Sequence, residues 1–181
     1  MKIITDLDKA YELADKAHSL KTQVWLDEVI FSFQWWTGLF LTVIPWIIWI
    51  ILSKKESKNR FLYTAFLLII ISSFFDLVGV QLGLWRYYYE VIPFIPSFVP
   101  YDWTLIPVII ISLIEYKPKA SPYIKGFVFA FVTAFIGSPI FEYFHFYKRI
   151  DWEIYYSFPI YFLIYLFGFW ASKRRNFDSY W

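Results

Sequence analysis

Long uninterrupted runs of apolar residues constrain the fold of this chain more than any other feature of its sequence. A helix of about 20 apolar residues crosses the hydrocarbon core of a bilayer, where a backbone must satisfy its own hydrogen bonds. We therefore predict an all-α fold, a polytopic membrane helical bundle of about five transmembrane helices with an interfacial amphipathic N-terminal helix. The predicted spans are 30–53, 61–84, 103–116, 124–146 and 155–171.

The third predicted span, 103–116, is shorter than the others. At the usual helical rise it covers only ~21 Å, which is less than the ~30 Å thickness of the hydrocarbon core. We expect this helix to be tilted, to be extended by its flanking residues, or to lie sunk within the bundle.

The composition agrees with a membrane protein and argues against several other classes. Of the 181 residues, 59% are hydrophobic and 18% are charged, whereas about a quarter of a soluble domain is charged. The net charge of +2 leaves no electrostatic footprint for nucleic acid, so no nucleic-acid partner is expected. The absence of cysteine excludes disulfides, thiolate metal sites and a cysteine nucleophile. Membrane lipids are the expected partners, no cofactor is expected, and the oligomeric state stays open.

Two flanking segments complete a single membrane domain, 30–171. Residues 1–29 form an N-terminal arm in which Ile4 and Leu7 are among apolar residues that recur at helical spacing. This pattern predicts an amphipathic helix at the membrane interface. The arm is too polar for a secretory signal. Residues 172–181 form a basic C-terminal tail.

The distribution of Lys and Arg predicts the orientation of the bundle. Nine of these residues fall between the first and second spans, between the third and fourth, and after the fifth. Lys125 at the start of the fourth span joins them to make ten, and the other seven fall on the opposite side. The positive-inside rule places the larger set in the cytoplasm. We therefore expect a multi-pass protein of the bacterial cell membrane with its N-terminus outside and its C-terminus in the cytoplasm.

Four ionisable residues lie within or beside the predicted spans and are the most informative positions. Asp76 lies inside the second span, Asp102 precedes the third, and Glu142 lies near the end of the fourth with His145 three residues later. Because successive spans run in opposite directions, all four are expected on the same side, with Glu115 on the other. An ionisable group in hydrocarbon costs about 2.5–3.5 kcal/mol on insertion scales and is a candidate functional residue by default.

We interpret these acids as the centre of one outward-facing site. Asp76 and Glu142 are the candidate catalytic residues, and a carboxyl that merely fixes the bundle through hydrogen bonds is the structural alternative. Arg86 is expected to form an interfacial salt bridge, with Asp76, Glu90 or Glu142 as its partner. The Glu142-x-x-His145 spacing occurs in metal-binding bundles, but one such pair without a second is weak, and no metal site is predicted. The candidate binding residues are Asp102, His145, Arg86, Trp85, Tyr87, Tyr155, Tyr156 and Ser157.

Small residues form stripes on two of the predicted spans, and small residues allow membrane helices to approach closely. We therefore expect the second and fourth spans to be neighbours that pack through these stripes. The first stripe is Ser72, Ser73, Asp76, Gly79 and Gly83, and the second is Gly126, Ala130, Thr133, Gly137, Ser138, Glu142 and His145.

Several segments resemble a family of small multi-pass membrane proteins found in endospore-forming bacteria, whose biochemical role is not established. The likeness covers most of residues 30–170, and it implies a membrane protein without assigning an activity. In place of the family's Glu-Pro near the end of the fourth span, this chain has Pro139-Ile140-Phe141-Glu142. The segments are Phe75-Asp76, Gly83-Leu84-Trp85-Arg86-Tyr87, Pro100-Tyr101-Asp102-Trp103-Thr104-Leu105-Ile106-Pro107, and Asp151-Trp152 with Tyr156-Ser157-Phe158-Pro159-Ile160-Tyr161.

The chain is also loosely similar to membrane-embedded isoprenoid cyclases of the lycopene type. Such enzymes protonate an alkene with a carboxylic acid in an aromatic cavity, and the likeness implies that role for Asp76 and Glu142. The hypothesis we place first is a non-enzymatic protein that binds a lipid-like or amphiphilic ligand, or a partner, through the outward polar and aromatic pocket. A membrane-embedded acid–base enzyme acting on an isoprenoid or other lipid is the alternative. A small proton-coupled carrier comes third, because no inverted repeat is visible.

Overall fold

The computed structural model describes residues 2–95 and 97–174, so the predicted basic tail lies outside the described residues from 175 onward. The helices are α1 (Lys2–Val24), α2 (Phe33–Leu52), α3 (Lys58–Gln81), α4 (Ile106–Glu115), α5 (Pro122–Val132), α6 (Ser138–Tyr143) and α7 (Ile154–Ser172). Two short strands are β1 (Trp85–Tyr87) and β2 (Tyr147–Arg149). Three π-helical segments occupy Trp25–Val29, Pro100–Leu105 and Thr133–Gly137.

The all-α prediction is confirmed. Within the described residues, four helical stretches are long and apolar enough to cross a membrane: Phe33–Leu52, Lys55–Gln81, Pro122–Tyr143 and Ile154–Ser172. The third predicted span is not among them. It forms the π-helical segment before α4 together with α4 itself, and it lies sunk within the bundle.

Helix α4 forms the centre of the hydrophobic core. Ile110 and Ile111 of α4 are completely buried, and they belong to one core cluster with Leu68 of α3, Phe129 of α5 and Tyr165 of α7. A short helix can be sunk in this way because its polar ends meet protein groups rather than lipid.

The expected pairing of the second and fourth spans through their stripes is wrong. Helix α7 packs against both α3 and α5. A Cβ added at Gly126 would meet Tyr165 and Phe162 of α7, and a Cβ added at Gly79 would meet the ring of Trp85. The small residues do permit close approach, but to aromatic rings that come from elsewhere in the chain.

Prolines explain two of the π-helical segments. Pro107 and Pro139 lie at the starts of α4 and α6, and each follows a π-helical segment directly. Proline has no backbone N–H, so the carbonyl one turn before it loses its usual partner. The wider turns accommodate that loss. Next to Pro139, the Ser138 Oγ also donates to the carbonyl of Thr133 at 3.1 Å.

Strands β1 and β2 form an antiparallel ribbon that the sequence did not predict. Their register pairs Trp85 with Arg149, Arg86 with Lys148, and Tyr87 with Tyr147. The ribbon joins the end of α3 to the end of α6, and the end of the bundle that carries it is called the ribbon end below.

The opposite end, called the Glu115 end below, is closed by side-chain bonds to backbone groups. Glu115 Oε1 accepts hydrogen bonds from Lys54 N and Ser57 Oγ, both at 3.0 Å. The ammonium of Lys125 donates to the carbonyls of Leu113 and Tyr116 at the end of α4. The prediction that Glu115 lies away from Asp76 and Asp102 is therefore confirmed, since these bonds lie at the far ends of α3 and α4.

Helix α1 is attached to the ribbon end through its last turns. Lys21 Nζ lies 2.5 Å from Glu90 Oε2, and Trp25 Nε1 donates to the carbonyl of Glu90 at 2.7 Å. Residues 4–20 are exposed along all faces of the helix. The predicted helix is therefore present, while its place at a membrane interface stays a prediction.

Candidate functional site

Asp76 receives hydrogen bonds on both carboxylate oxygens, although it lies within a transmembrane stretch. Trp85 Nε1 and the Tyr87 hydroxyl donate to Oδ1 at 2.8 and 2.6 Å, and the Phe98 backbone N–H donates to Oδ2 at 2.9 Å. The residue is 6% exposed. Three donors around a buried carboxyl fit its ionised, acceptor-only form.

Asp102 is the second buried acid of the site, at 4% exposure. Its side chain lies beside that of Asp76, and its Oδ2 accepts from Ser97 Oγ at 2.9 Å. Two buried carboxylates side by side repel each other, so the pair is stabilised when one of them keeps a proton. Because Asp76 is already surrounded by donors, Asp102 is the acid that better accommodates that proton. The pair as a whole then carries one negative charge.

A cavity of about 330 Å³ lies beside the two acids. Asp76 and Asp102 form part of its wall, and most of the remaining wall is aromatic or aliphatic. The aromatic lining residues are Phe75, Trp85, Tyr87, Phe98, Tyr101, Phe141, Tyr147, Trp152 and Tyr161. The hydroxyl lining residues besides the tyrosines are Ser72, Ser138 and Ser157. No Lys, Arg or His of the described residues lines this cavity.

An apolar groove adjoins the cavity on the surface between α3 and α7. Phe75, Ile160 and Ile164 line both spaces, and Leu163 and Phe167 carry the groove further along α7. Phe75 and Leu163 are exposed on the outside of the bundle. The cavity beside the buried acids therefore adjoins the surface that would face lipid.

The wall of the cavity is held by close aromatic packing. The indole of Trp85 lies directly over Gly79, where an added Cβ would come within 2.0 Å of its ring, and it meets Trp152 edge-on at 5.3 Å between ring centroids. Tyr87 stacks on Phe98 at 4.8 Å. Glycine at position 79 is thus what lets the Trp85 N–H reach Asp76.

Burial sets the ionisation of the ribbon tyrosine that bonds Asp76. Burial raises the pKa of the Tyr87 hydroxyl well above its ordinary value, and the charge of Asp76 raises it further. Tyr87 therefore stays protonated and remains a donor throughout the physiological range.

One hydroxyl in the cavity wall has no hydrogen-bond partner. Tyr101 Oη is buried and unbonded among the described residues, although Tyr161 and Ser138 lie beside it. Buried polar atoms are nearly always satisfied, but this oxygen has almost no accessible surface, so a ligand in the cavity reaches it only after a small movement of the wall.

The structure brings together only part of the predicted site. Asp76, Asp102, Trp85, Tyr87 and Ser157 line the cavity. Ser157 Oγ also accepts from Trp152 Nε1 at 2.9 Å, which fixes the indole at the cavity wall.

Glu142, grouped with Asp76 in the sequence analysis, does not line the cavity. Its carboxylate binds Arg149, whose Nε and Nη2 lie 2.9 and 2.6 Å from Oε2, while the Arg149 backbone N–H donates to Oε1 at 3.2 Å. This bidentate pair secures β2 to α6.

The remaining predicted residues lie on the outer surface. Arg86, expected to pair with an acid, is exposed and makes no ion pair within the described chain. The partners of Asp76, Glu90 and Glu142 are instead the ribbon aromatics, Lys21 and Arg149. Strand alternation explains this outcome, because Trp85 and Tyr87 face inward and Arg86 between them must face outward. His145, Tyr155 and Tyr156 are likewise exposed.

The Glu142-x-x-His145 spacing does not assemble a metal site among residues 2–95 and 97–174. His145 adopts a left-handed backbone conformation, with φ of 61°, in the turn that leads to β2. No group of three or more His, Asp or Glu side chains in this part of the chain is placed to hold a metal ion.

Nine polar or aromatic residues of the cavity wall were not predicted as site residues: Ser72, Phe75, Phe98, Tyr101, Ser138, Phe141, Tyr147, Trp152 and Tyr161. For Tyr101 and Ser138 the available signal was their place before Pro107 and Pro139, where π-helical turns form. Tyr147 could be found only by pairing β2 with β1.

Comparison with known proteins does not identify the chain. No protein-family model matches it, and neither a curated protein nor a solved structure matches it significantly. The resemblance to membrane proteins of endospore-forming bacteria therefore stays a prediction.

Proposed function

We propose that this protein binds a single-chain, lipid-like amphiphile in a bundle embedded in the bacterial cell membrane. The head of the ligand lies in the cavity beside Asp76 and Asp102, and its tail lies in the groove between α3 and α7. The observation that carries the proposal is that the two spaces adjoin and share Phe75, Ile160 and Ile164 as lining residues.

The shape and chemistry of the two spaces support this division. The cavity holds polar groups at its inner wall, whereas the lining of the groove is apolar. Ligand pockets typically enclose about 300–1,000 Å³ and combine an apolar wall with a few polar groups. A groove that opens to lipid lets a ligand enter sideways from the bilayer, without crossing the ribbon.

A tail-blocking variant tests the proposal. Ile160→Trp places a large ring where the cavity and the groove meet, and Ile124→Trp makes the same change at an exposed position of α5. Native mass spectrometry of the purified proteins should find a bound amphiphile on the wild type and on Ile124→Trp, and a reduced bound fraction on Ile160→Trp. Equal occupancy of all three proteins, or none on the wild type after reconstitution with membrane lipids, would reject the proposal.

A membrane-embedded acid catalyst is the second proposal, and the protonated Asp102 favours it. A carboxylic acid kept neutral by its neighbours can deliver a proton to a ligand in an aromatic cavity, whose π faces stabilise a developing cation. In this version Asp102 is the acid and Asp76 is its partner, while Glu142 takes no part. Incubation with an isoprenoid should then yield an isomer that Asp102→Asn does not form. Unchanged isoprenoid after incubation with the wild type would exclude this version and leave the binding protein.

We propose the orientation separately, with the ribbon end and the N-terminus outside the cell and the Glu115 end in the cytoplasm. It is supported by the positive charges of Lys54, Lys55, Lys58 and Arg60, which lie together in the turn between α2 and α3 and at the start of α3. The cavity is then closest to the outer leaflet.

A further inference from the structure

We propose that the head of the ligand is a cation, and that the protein recognises a long-chain ammonium amphiphile. This inference rests on the function proposed above, because it needs the cavity to be a head-group site. It names the class of head group, which the shape of the cavity alone does not.

The charge balance of the cavity gives the first reason. The Asp76–Asp102 pair carries one negative charge, and the described cavity wall contributes no Lys, Arg or His to neutralise it. The two pairs of opposite charge within the described chain, Lys21 with Glu90 and Arg149 with Glu142, lie elsewhere. A buried charge without a counter-charge is costly, and a bound cation removes that cost.

The Asp76 donors do not remove the need for a counter-charge. The Trp85 N–H, the Tyr87 hydroxyl and the Phe98 N–H are neutral dipoles, so they stabilise the carboxylate without changing the net charge of the cavity.

The aromatic wall gives the second reason. Trp85, Tyr87, Trp152 and Phe141 are among nine aromatic residues that line the cavity. Cations are attracted to the faces of aromatic rings, most strongly to those of Trp, and desolvated sites strengthen the attraction. A carboxylate within an aromatic enclosure is the usual chemistry of ammonium recognition.

The orphaned Tyr101 hydroxyl gives the third and independent reason. Its ring lines the cavity, and its buried oxygen lacks a partner among the described residues. After a small movement of the wall, an ammonium N–H can donate to this oxygen while its charge faces the acid pair. An anionic head would find no cation in the wall and would be repelled by the pair.

A head-group series on one tail tests the inference with the intact protein in neutral detergent. The probes are dodecylamine, dodecanol and dodecanoate, measured by titration calorimetry at neutral pH, where the amine is charged. We expect dodecylamine to bind at least about tenfold more tightly than dodecanol, given the strength of desolvated cation–π contacts. Dodecanoate should bind more weakly than dodecanol.

Variants then assign the preference to the acid pair. Asp76→Asn should reduce the amine-to-alcohol ratio to about one, because it removes the charge that favours a cation over a neutral head. Asp151→Asn, an exposed acid just after the ribbon, is the matched control and should keep the wild-type ratio. If Asp76→Asn does not fold, the wild-type series alone decides.

The outcomes separate the two proposals. Binding of dodecanol or dodecanoate as tight as that of dodecylamine overturns the cationic head but keeps an amphiphile site. Binding of none of the three probes overturns the proposed function itself. An amine preference that survives in a folded Asp76→Asn protein would mean that the acid pair does not recognise the head, and that outcome also overturns the inference.

Discussion

At the Glu115 end of the bundle a carboxylate accepts hydrogen bonds from its neighbours, whereas at the ribbon end two carboxyls line a cavity. Glu115 binds the turn between α2 and α3 through one oxygen, and Lys125 covers the carbonyls at the end of α4. Asp76 and Asp102 are less exposed than Glu115, yet they line a cavity of about 330 Å³. Charged residues thus close one end and leave a cavity at the other.

A hydrogen-bonded carboxyl at one end of the bundle therefore does not by itself identify a site. The ribbon end differs because it combines a buried carboxyl pair without a counter-charge, an unbonded hydroxyl on Tyr101 and an adjoining apolar groove on the surface. It is also where two π-helical segments meet the cavity, through Asp102 of one and Ser138 directly after the other. Such segments are frequent at functional sites.

The largest expected effect concerns whether a membrane separates the two ends. The chain has no cysteine, and Lys148 and Lys55 are exposed at the ribbon end and the Glu115 end. An impermeant maleimide should label Lys148→Cys on intact cells and Lys55→Cys only after permeabilisation. The reverse pattern would invert the proposed orientation. Equal labelling of both variants on intact cells would mean that no membrane separates the two ends.

The next effect concerns the wall of the cavity. In Gly79→Ala the new Cβ would lie 2.0 Å from the Trp85 ring, so the indole must move away from Asp76. We expect a loss of about 1–3 kcal/mol, the usual cost of overpacking, measured by thermal unfolding in detergent.

Gly137→Ala is the matched control for that variant. Its new Cβ would come no closer than 3.6 Å to another atom, the carbonyl oxygen of Val132, and we expect near-native stability. Equal unfolding temperatures for the two variants would mean that Trp85 is free to leave the wall without cost.

A third comparison sets the acids against each other. Asp76→Asn replaces one accepting oxygen with an amide N–H₂ that faces a donor, and we expect a loss of about 1–3 kcal/mol. Asp102→Asn should cost less, because its amide donates to Asp76 as a protonated carboxyl does. Glu115→Gln should also cost little, since both of its donors use one oxygen. If Asp102→Asn proves the costliest in chemical unfolding, the proton is on Asp76 instead.

The fold could be predicted from the sequence largely because hydropathy determines it. The four long stretches lie close to the predicted spans, and even the short third span was expected to be sunk among the others as one of three alternatives. Helix neighbours could not be predicted in this way. Small residues such as Gly79 signal a close approach without specifying what approaches, and here that is the indole of Trp85.

The direction of the chain alone predicts which end of the bundle holds the two acids of the site. Alternating spans bring Asp76 and Asp102 to one end, and both line the cavity. The partners of the acids depend instead on the ribbon, whose three-residue strands are too short to leave a pattern in the sequence. The ribbon turns Arg86 outward and brings Arg149 to Glu142. The arginine that forms the salt bridge is therefore Arg149, and the prediction of Arg86 was wrong.

The smallest expected effect is a pH dependence at the attachment of α1 to the ribbon end. Burial raises the pKa of Glu90, and its ion pair with Lys21 only partly opposes that rise. The folded protein therefore holds the Glu90 proton at pH values where the unfolded chain has lost it. The contribution of Glu90 to stability is complete below the ordinary carboxyl pKa of about 4 and is lost as pH rises through the raised pKa.

Glu90→Gln keeps a neutral, hydrogen-bonding side chain at every pH. Its unfolding temperature should therefore rise relative to that of the wild type as pH increases through this window. Glu56→Gln, an exposed acid in the turn between α2 and α3, should show no such gain in the same thermal scans. A difference between Glu90→Gln and the wild type that grows toward acid pH would mean that the Lys21 pair outweighs burial and that α1 is held by charge.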